Sequence, residues 1–98
     1  MKELSVVIVT YNSEPDIYGC LDALFAHNDL DDALEVIVVD NNSRDFTHMQ
    51  DEIARLYGGK VIVLSNSQNG GYGQGNNIGI RHASSPVIMI MNPDVRII

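Results

Sequence analysis

The amino-acid sequence predicts an α/β protein in which a mainly parallel sheet lies between two layers of helices, a Rossmann-like three-layer α/β/α fold. Four short runs rich in β-branched residues alternate with segments whose apolar residues recur at helical spacing. Right-handed crossovers between such strands place helices on both faces of one sheet. With 98 residues, 45% of them hydrophobic, the chain is long enough for a single domain, residues 1–98, with a buried core.

The first predicted unit is a strand followed by a helix. Residues 4–9 form a nearly continuous apolar run, as expected of a strand buried on both faces. Ser13 is expected to cap a helix whose first turn contains residues 14–16. Cys20, beside the apolar stripe of this helix, is interpreted as a small core residue. The stripe itself consists of Ile17, Leu21, Leu24 and Phe25.

The second unit repeats this plan. Residues 35–40 are predicted as a strand that ends on Asp40, and a polar loop follows it. The next helix is expected to end at Gly58 and Gly59, because glycine is the preferred residue just after a helix. Its predicted buried stripe consists of Met49, Ile53, Leu56 and Tyr57.

The third part of the chain adds two more strands. Residues 60–64 are predicted as the third strand and residues 87–91 as the fourth. Between them lie a loop rich in glycine and asparagine at 65–75 and a short helix at 76–83. A cluster of polar residues follows the carboxyl end of every strand. Because open parallel sheets bind ligands at that edge, the sequence predicts a site there.

Charge and cysteine content exclude several classes of function. Thirteen acidic residues against six basic ones give a net charge of −7, which argues against a nucleic-acid-binding face. A single cysteine excludes a disulfide framework and a cysteine-based zinc site, and it suits a reducing compartment. No apolar run approaches the ~20 residues of a membrane span, and the first residues do not form a signal peptide. We therefore expect a cytoplasmic protein.

The glycine-rich loop does not match either common nucleotide-binding motif. A phosphate-binding loop of the G-x-x-x-x-G-K-[ST] type needs lysine where this sequence has Asn76. A dinucleotide fingerprint needs its glycines directly after the first strand, but Thr10, Tyr11 and Asn12 stand there. The glycines still allow close approach of the backbone to a ligand, although a flexible loop with turn glycines is the commoner structure of such stretches.

Several polar residues at the strand ends allow two interpretations each. Asp40 suits a hydrogen bond to a pyrimidine or a ribose, or equally the ordering of its own loop. Asp94, with the carbonyl of Asn92, suits a hard divalent cation bound to phosphates, whereas its spacing alone favours an ordinary turn. Tyr11 either stacks on a base or covers the end of the sheet, and its position after the first strand favours the base.

Together these segments resemble family 2 glycosyltransferases of the GT-A fold. The resemblance is carried, in chain order, by Thr10-Tyr11-Asn12 after the first strand and by residues 38–43, 69–77 and 91–94. Each motif is weak by itself, but four in the right order and strand context are specific. The most similar subgroup contains rhamnosyl- and galactofuranosyl-type transferases of cell-envelope polysaccharides. The chain would then be the donor-binding half of such an enzyme.

The resemblance implies an inverting transfer from a nucleoside diphosphate sugar, a UDP- or dTDP-sugar, to a saccharide or lipid-linked acceptor. It also implies Mg²⁺ or Mn²⁺ as cofactor, coordinated by Asp94, with Asn92 in the position of the family's first metal-binding acid. The glycine-rich loop would face the sugar or diphosphate through Gly70, Gly71 and Asn76. The base and ribose would contact Thr10, Tyr11, Asn12, Glu14, Asp40 and Asn41.

The sequence departs from the family pattern in two of its acids and in the absence of the catalytic base. Asn92 and Asn41 replace acids that many relatives carry. The family's catalytic base lies well beyond the metal motif, so it is expected beyond residue 98, and this chain by itself is expected to be inactive. The alternative is a non-catalytic nucleotide-binding or assembly module.

The apolar end of the sequence predicts an exposed strand edge that another molecule can cover. Residues 95–98 form an apolar extended segment, from which we expect a fragment of a longer protein and a homodimer through that edge. Within the cytoplasm, we expect peripheral association at the inner face of the membrane.

Overall fold

The computed structural model describes residues 2–26, 33–67 and 71–93. Within these residues, strands and helices alternate along the chain. The strands are β1 (Leu4–Thr10), β2 (Leu34–Asp40), β3 (Val61–Ser65) and β4 (Val87–Met91). The helices are α1 (Asp16–Ala26), α2 (Phe46–Tyr57) and α3 (Gly71–His82), and a 3-10 turn at Gly58–Lys60 joins α2 to β3. Among the described helices, none combines the length and apolarity needed to cross a membrane.

The strands form one parallel sheet in the order β3-β2-β1-β4. This arrangement confirms the predicted α/β fold. The chain moves outward from β1 to β3 and then returns to the other side of β1, so the strand order reverses between β1 and β4. In open α/β sheets such a reversal opens a crevice at the carboxyl ends of the strands. We call this edge of the sheet the carboxyl edge and the opposite one the amino edge.

Helices cover both faces of the sheet. On one face α1 and α2 pack against β1 and β2, and α3 packs against the other face. The core under α1 and α2 includes Val6, Ile8, Val36 and Val38 from the strands and Ile17, Cys20, Leu21, Met49 and Ile53 from the helices. The smaller core under α3 contains Val7, Ile37 and Val39, with Ile78 packed on them.

Helix α3 begins at Gly71, five positions before the predicted start at residue 76. Much of the predicted glycine-rich loop is therefore helical, and two glycines of α3 serve packing. A Cβ atom at Gly75 would lie 2.7 Å from Cγ1 of Val9, and one at Gly79 would lie 2.3 Å from Cγ1 of Val7. Glycine costs a helix about 1 kcal/mol relative to alanine, yet at these positions it lets α3 lie directly on the sheet. Tertiary contact thus outweighs the local preference for a loop.

Helix α1 begins at Asp16, later than predicted. The Ser13 hydroxyl accepts a hydrogen bond from the backbone N–H of Tyr11 at 3.0 Å, so it is engaged within the loop. The Ser13 carbonyl takes part in the helix, since it accepts from the N–H of Ile17 at 3.0 Å.

Two apolar regions are more exposed than a buried core would require. Leu56, predicted in the buried stripe of α2, is 47% exposed because α2 contacts the core through Met49 and Ile53 instead. The four residues of β4 from Val87 to Ile90 are between 36% and 57% exposed. Since β4 pairs with β1 on one side only within the described residues, its other side stays open.

Candidate functional site

The candidate site lies at the carboxyl edge, where the loops after β1 and β2 meet. Thr10 and Asp40, the last residues of these strands, face each other in the register of the sheet, and neither is exposed. Asn41 follows at 2% exposure, and its N–H donates to the carbonyl of Thr10 at 2.8 Å. Tyr11, in contrast, follows Thr10 directly and is 54% exposed. The parallel register therefore brings together residues that are 30 positions apart in sequence.

The carboxylate of Asp40 is the centre of a buried hydrogen-bond network. Its Oδ1 atom accepts from the Thr10 hydroxyl at 2.7 Å and from the Ser43 hydroxyl at 2.5 Å. Its Oδ2 atom accepts from the backbone N–H of Ser43 at 2.8 Å. Buried carboxylates are stable only with such partners, so these bonds fix the side chain and the turn after β2 together.

A second set of hydrogen bonds joins the two loops. The N–H of Asn12 donates to the Ser43 hydroxyl at 2.7 Å, and the N–H of Arg44 donates to Oδ1 of Asn12 at 3.0 Å. Asn12 and Asn42 have φ angles of 49° and 60°, in the left-handed region that asparagine tolerates better than most residues. The loops after β1 and β2 therefore hold each other in one defined conformation.

A cavity of about 230 Å³ opens between these two loops. Its wall includes Glu14, which is tied to both neighbouring helices: Tyr18 donates its hydroxyl proton to Oε2 of Glu14, and Nδ1 of His48 lies 2.9 Å from the same atom. Burial and the hydrogen bond to Glu14 raise the pKa of Tyr18, so it remains a neutral donor. The cavity is lined by Asn12, Ser13, Glu14, Ser43, Arg44, Asp45 and Met49.

An amide network extends the site toward α3. Nδ2 of Asn66, just after β3, donates to Oδ1 of Asn41 at 2.9 Å and to Oε1 of Gln74 at 2.8 Å. The N–H of Asn66 also donates to the carbonyl of Asp40 at 2.8 Å. The Asn66 side chain thus connects the loop after β2, the loop after β3 and helix α3. Neither Asn66 nor Gln74 stood out in the sequence, because single amides in polar loops carry no recognisable spacing.

The remaining predicted site residues are less closely connected to this network. Gly71 begins α3, and Oδ1 of Asn76 on the same helix is buried without a hydrogen-bond partner in the described part of the chain. Asn92 is exposed at the end of β4, and its carbonyl accepts from Sγ of Cys20 at 3.7 Å. Gly70 and Asp94 lie outside the described residues.

A metal site cannot be assembled from the described residues alone. No group of three or more histidine, cysteine, aspartate or glutamate side chains in that part of the chain is arranged to hold a metal ion. The described donors therefore do not by themselves fit Mg²⁺ or Mn²⁺, which prefer several oxygen ligands.

Comparison with known proteins shows the family of this chain. The sequence model of "Glycosyl transferase family 2" matches residues 5–97. The chain belongs to this family. The Glycosyltransferase AglE of Haloferax volcanii is 34% identical over 95 residues, which is 93% of this chain and 30% of that protein.

Solved structures of glycosyltransferases share the fold. Staphylococcus aureus TarS in complex with UDP-GlcNAc superposes with a TM-score of 0.81 at 30% identity, covering 94% of this chain and 26% of that one. The mannosyltransferase PcManGT of Pyrobaculum calidifontis, in complex with GDP-Man and Mn²⁺, gives a TM-score of 0.87 at 25% identity, covering 96% and 28%. The chain thus spans less than a third of each of these proteins.

Proposed function

We propose that this chain is the donor-binding half of an inverting glycosyltransferase. The whole enzyme would transfer a sugar from a UDP- or dTDP-sugar to a saccharide or lipid-linked acceptor in cell-envelope polysaccharide synthesis, as in the rhamnosyl- and galactofuranosyl-type subgroup. The observation that carries the proposal is the pair of interlocked loops around a cavity at the carboxyl edge. Membership of glycosyltransferase family 2 supports the reaction class.

The nucleoside would bind where these loops meet. Tyr11 is exposed above the edge and offers an aromatic face for stacking on a base. Asn12 and Glu14 line the adjacent cavity and offer polar groups to a ribose. Thr10, Asp40 and Asn41 are buried at the ends of β1 and β2, and we propose that they support the pocket for the base and ribose.

The diphosphate and sugar would extend from this pocket along α3. Gly70 and Gly71 would allow the backbone to approach the phosphates. The amide oxygen of Asn76, which has no hydrogen-bond partner among the described residues, would accept a hydrogen bond from a sugar hydroxyl. Asp94, together with Asn92, would hold Mg²⁺ or Mn²⁺. We assign no catalytic step to the metal, since the described donors alone do not hold it.

The proposed roles of the chain are binding and orientation rather than proton transfer. The base that activates the acceptor is proposed to lie beyond residue 98, so the isolated chain would bind the donor without transferring its sugar. We further propose a cytoplasmic location with peripheral association at the inner face of the membrane. We also propose that the outer side of β4 contacts a second copy of the chain. The exposed apolar residues of this strand support that proposal.

Calorimetric titration of the chain with UDP and with dTDP, each with and without Mn²⁺, tests the proposal. We expect saturable binding of one of these nucleotides, strengthened by Mn²⁺. In the same experiment the Asp94→Ala variant should bind the nucleotide but lose the effect of Mn²⁺. A folded chain that binds neither nucleotide would contradict donor binding by this half, and an unchanged Mn²⁺ effect in Asp94→Ala would contradict the metal role of that residue.

A further inference from the structure

The Ser43 hydroxyl is the contact point between the buried carboxylate of Asp40 and the loop after β1. It donates to Oδ1 of Asp40 at 2.5 Å and accepts from the N–H of Asn12 at 2.7 Å. The N–H of Ser43 itself donates to the other carboxylate oxygen at 2.8 Å. A hydroxyl has one proton and two acceptor sites, so both of these contacts are satisfied by a single oxygen atom.

The residue held by Ser43 has an unusual backbone conformation. Asn12 has a φ of 49°, and among the described residues its N–H and its side chain are both bound by the loop after β2, the former through Ser43 and the latter through the N–H of Arg44. A left-handed conformation of a residue other than glycine costs energy and persists where neighbouring contacts enforce it. Asn12 follows the exposed Tyr11 and itself lines the cavity, so its conformation affects both the direction of Tyr11 and the shape of the cavity.

We propose that Ser43 is a positioning residue that transmits the geometry of Asp40 to Asn12 and so holds the loop after β1 in its nucleotide-binding conformation. This inference rests on the proposed function, since it concerns the same pocket. The hydrogen bond to a carboxylate is charge-assisted and therefore stronger than a bond between neutral groups. Loss of the hydroxyl leaves both the carboxylate oxygen and the Asn12 N–H short of a partner, and the loop then populates other conformations.

The chain provides a matched control at the opposite edge of the sheet. The Ser5 hydroxyl, on the same strand that precedes Asn12, donates to Oε1 of Glu35 on β2 at 2.7 Å. Ser5 is fully buried and Glu35 is half-buried, so Ser5→Ala also removes a partly buried bond between a serine and a carboxylate that joins β1 to β2. Ser5 lies near the start of β1, whereas the cavity lies beyond the end of this strand.

The test compares UDP binding by the unaltered chain, Ser43→Ala, Ser43→Thr and Ser5→Ala by calorimetry. We expect Ser43→Ala to weaken binding about tenfold, because the competent loop conformation becomes a minor population. Ser43→Thr, which keeps the hydroxyl, should restore binding to within about threefold, and Ser5→Ala should bind like the unaltered chain. Should Ser43→Ala fail to fold, Ser43→Cys, with a weakly hydrogen-bonding thiol of similar size, carries the same expectation.

Hydrogen exchange of the Asn12 amide gives a readout that does not require a ligand. Ser43→Ala should lose protection at this amide at least tenfold beyond any change in global stability, and Ser5→Ala should retain it. Unchanged protection in Ser43→Ala, or equal losses in Ser43→Ala and Ser5→Ala, would overturn the inference. If the unaltered chain binds UDP and Ser43→Ala binds it equally well, the positioning role is wrong while the proposed function stands. If the folded, unaltered chain does not bind UDP, the proposed function fails. The exchange measurement still decides whether Ser43 holds the conformation of Asn12.

Discussion

The two edges of the sheet carry the same pair of chemical groups with different consequences. Ser5 faces Glu35 at the amino edge and Thr10 faces Asp40 at the carboxyl edge, both across β1 and β2. In each pair the hydroxyl donates to the carboxylate at 2.7 Å. The remaining contacts differ. Glu35 accepts from the N–H and the hydroxyl of Ser84, just after α3, whereas Asp40 accepts from a loop that borders a cavity.

This difference shows that the position of a polar pair in the fold decides what the pair does. At the amino edge Glu35 accepts from Ser5 on β1 and from Ser84 just after α3, so its carboxylate joins the sheet to the segment that follows α3. At the carboxyl edge the same bond supports loops whose other groups point toward open space. Parallel sheets place their ligand sites at that edge because the strand-to-helix loops lie there and the helix N-termini face it.

The largest effect on UDP affinity is expected from a change at Asp40, compared with the same change at Glu35. Asp40→Asn replaces an acceptor of three hydrogen bonds by a side chain whose amide group cannot accept on one side, so it disrupts the turn that bears Ser43. We expect UDP affinity to fall about a hundredfold or more, equivalent to ~2.7 kcal/mol. Glu35→Gln should keep UDP affinity within about twofold, because its loss is confined to the amino edge.

Calorimetric titration of both variants measures this contrast, and circular dichroism establishes that each is folded. Equal losses of UDP affinity in Asp40→Asn and Glu35→Gln would mean that general stability, and not the position of the carboxylate, determines binding.

The second prediction concerns α3, which connects the two edges. Gly79→Ala would place a methyl group 2.3 Å from the side chain of Val7, so α3 or β1 must shift. We expect a destabilisation of about 1–3 kcal/mol, the range for overpacked cores. Gly73→Ala lies at a helical position where, among the described residues and apart from the helix's own neighbouring backbone, no atom comes within 4 Å of the added methyl, so it should instead stabilise the protein by up to ~1 kcal/mol. Urea unfolding of both variants measures the difference, and a stable Gly79→Ala would show that α3 does not require this close contact.

The smallest expected effect is the pH dependence contributed by the amino edge. Burial by itself would raise the pKa of Glu35, but hydrogen bonds from Ser5 and Ser84 outweigh it and hold the pKa below its usual range. Because the unfolded chain has a pKa near ~4.3, this group contributes stability above that pH and loses it as the pH falls through the lower folded pKa. The difference in unfolding free energy between the unaltered chain and Glu35→Gln should therefore shrink on acidification. A difference that stays constant between neutral pH and pH ~3 would contradict the assignment.

Much of the fold follows from local patterns in the sequence. The β-branched runs gave β1 to β4 to within a residue or two, and helical spacing gave most of α1 and α2, with the buried Cys20. The location of Thr10, Asp40 and Asn41 at one edge also follows from the alternation of strands and helices, because parallel strands must end on the same side. These features depend on residues close together in the chain.

Tertiary structure alone decided the contacts between distant segments. The close packing of α3 on the sheet depends on valine side chains of β1, which leave no room for a Cβ atom at 75 and 79. The bond from Asn12 to Ser43 joins residues 31 positions apart, and no local spacing announces it. The exposure of β4, in contrast to the half-buried β3 at the other side of the sheet, cannot be read from its apolar sequence. Periodicity records which face of an element is buried, whereas only the packed fold determines which atoms meet there.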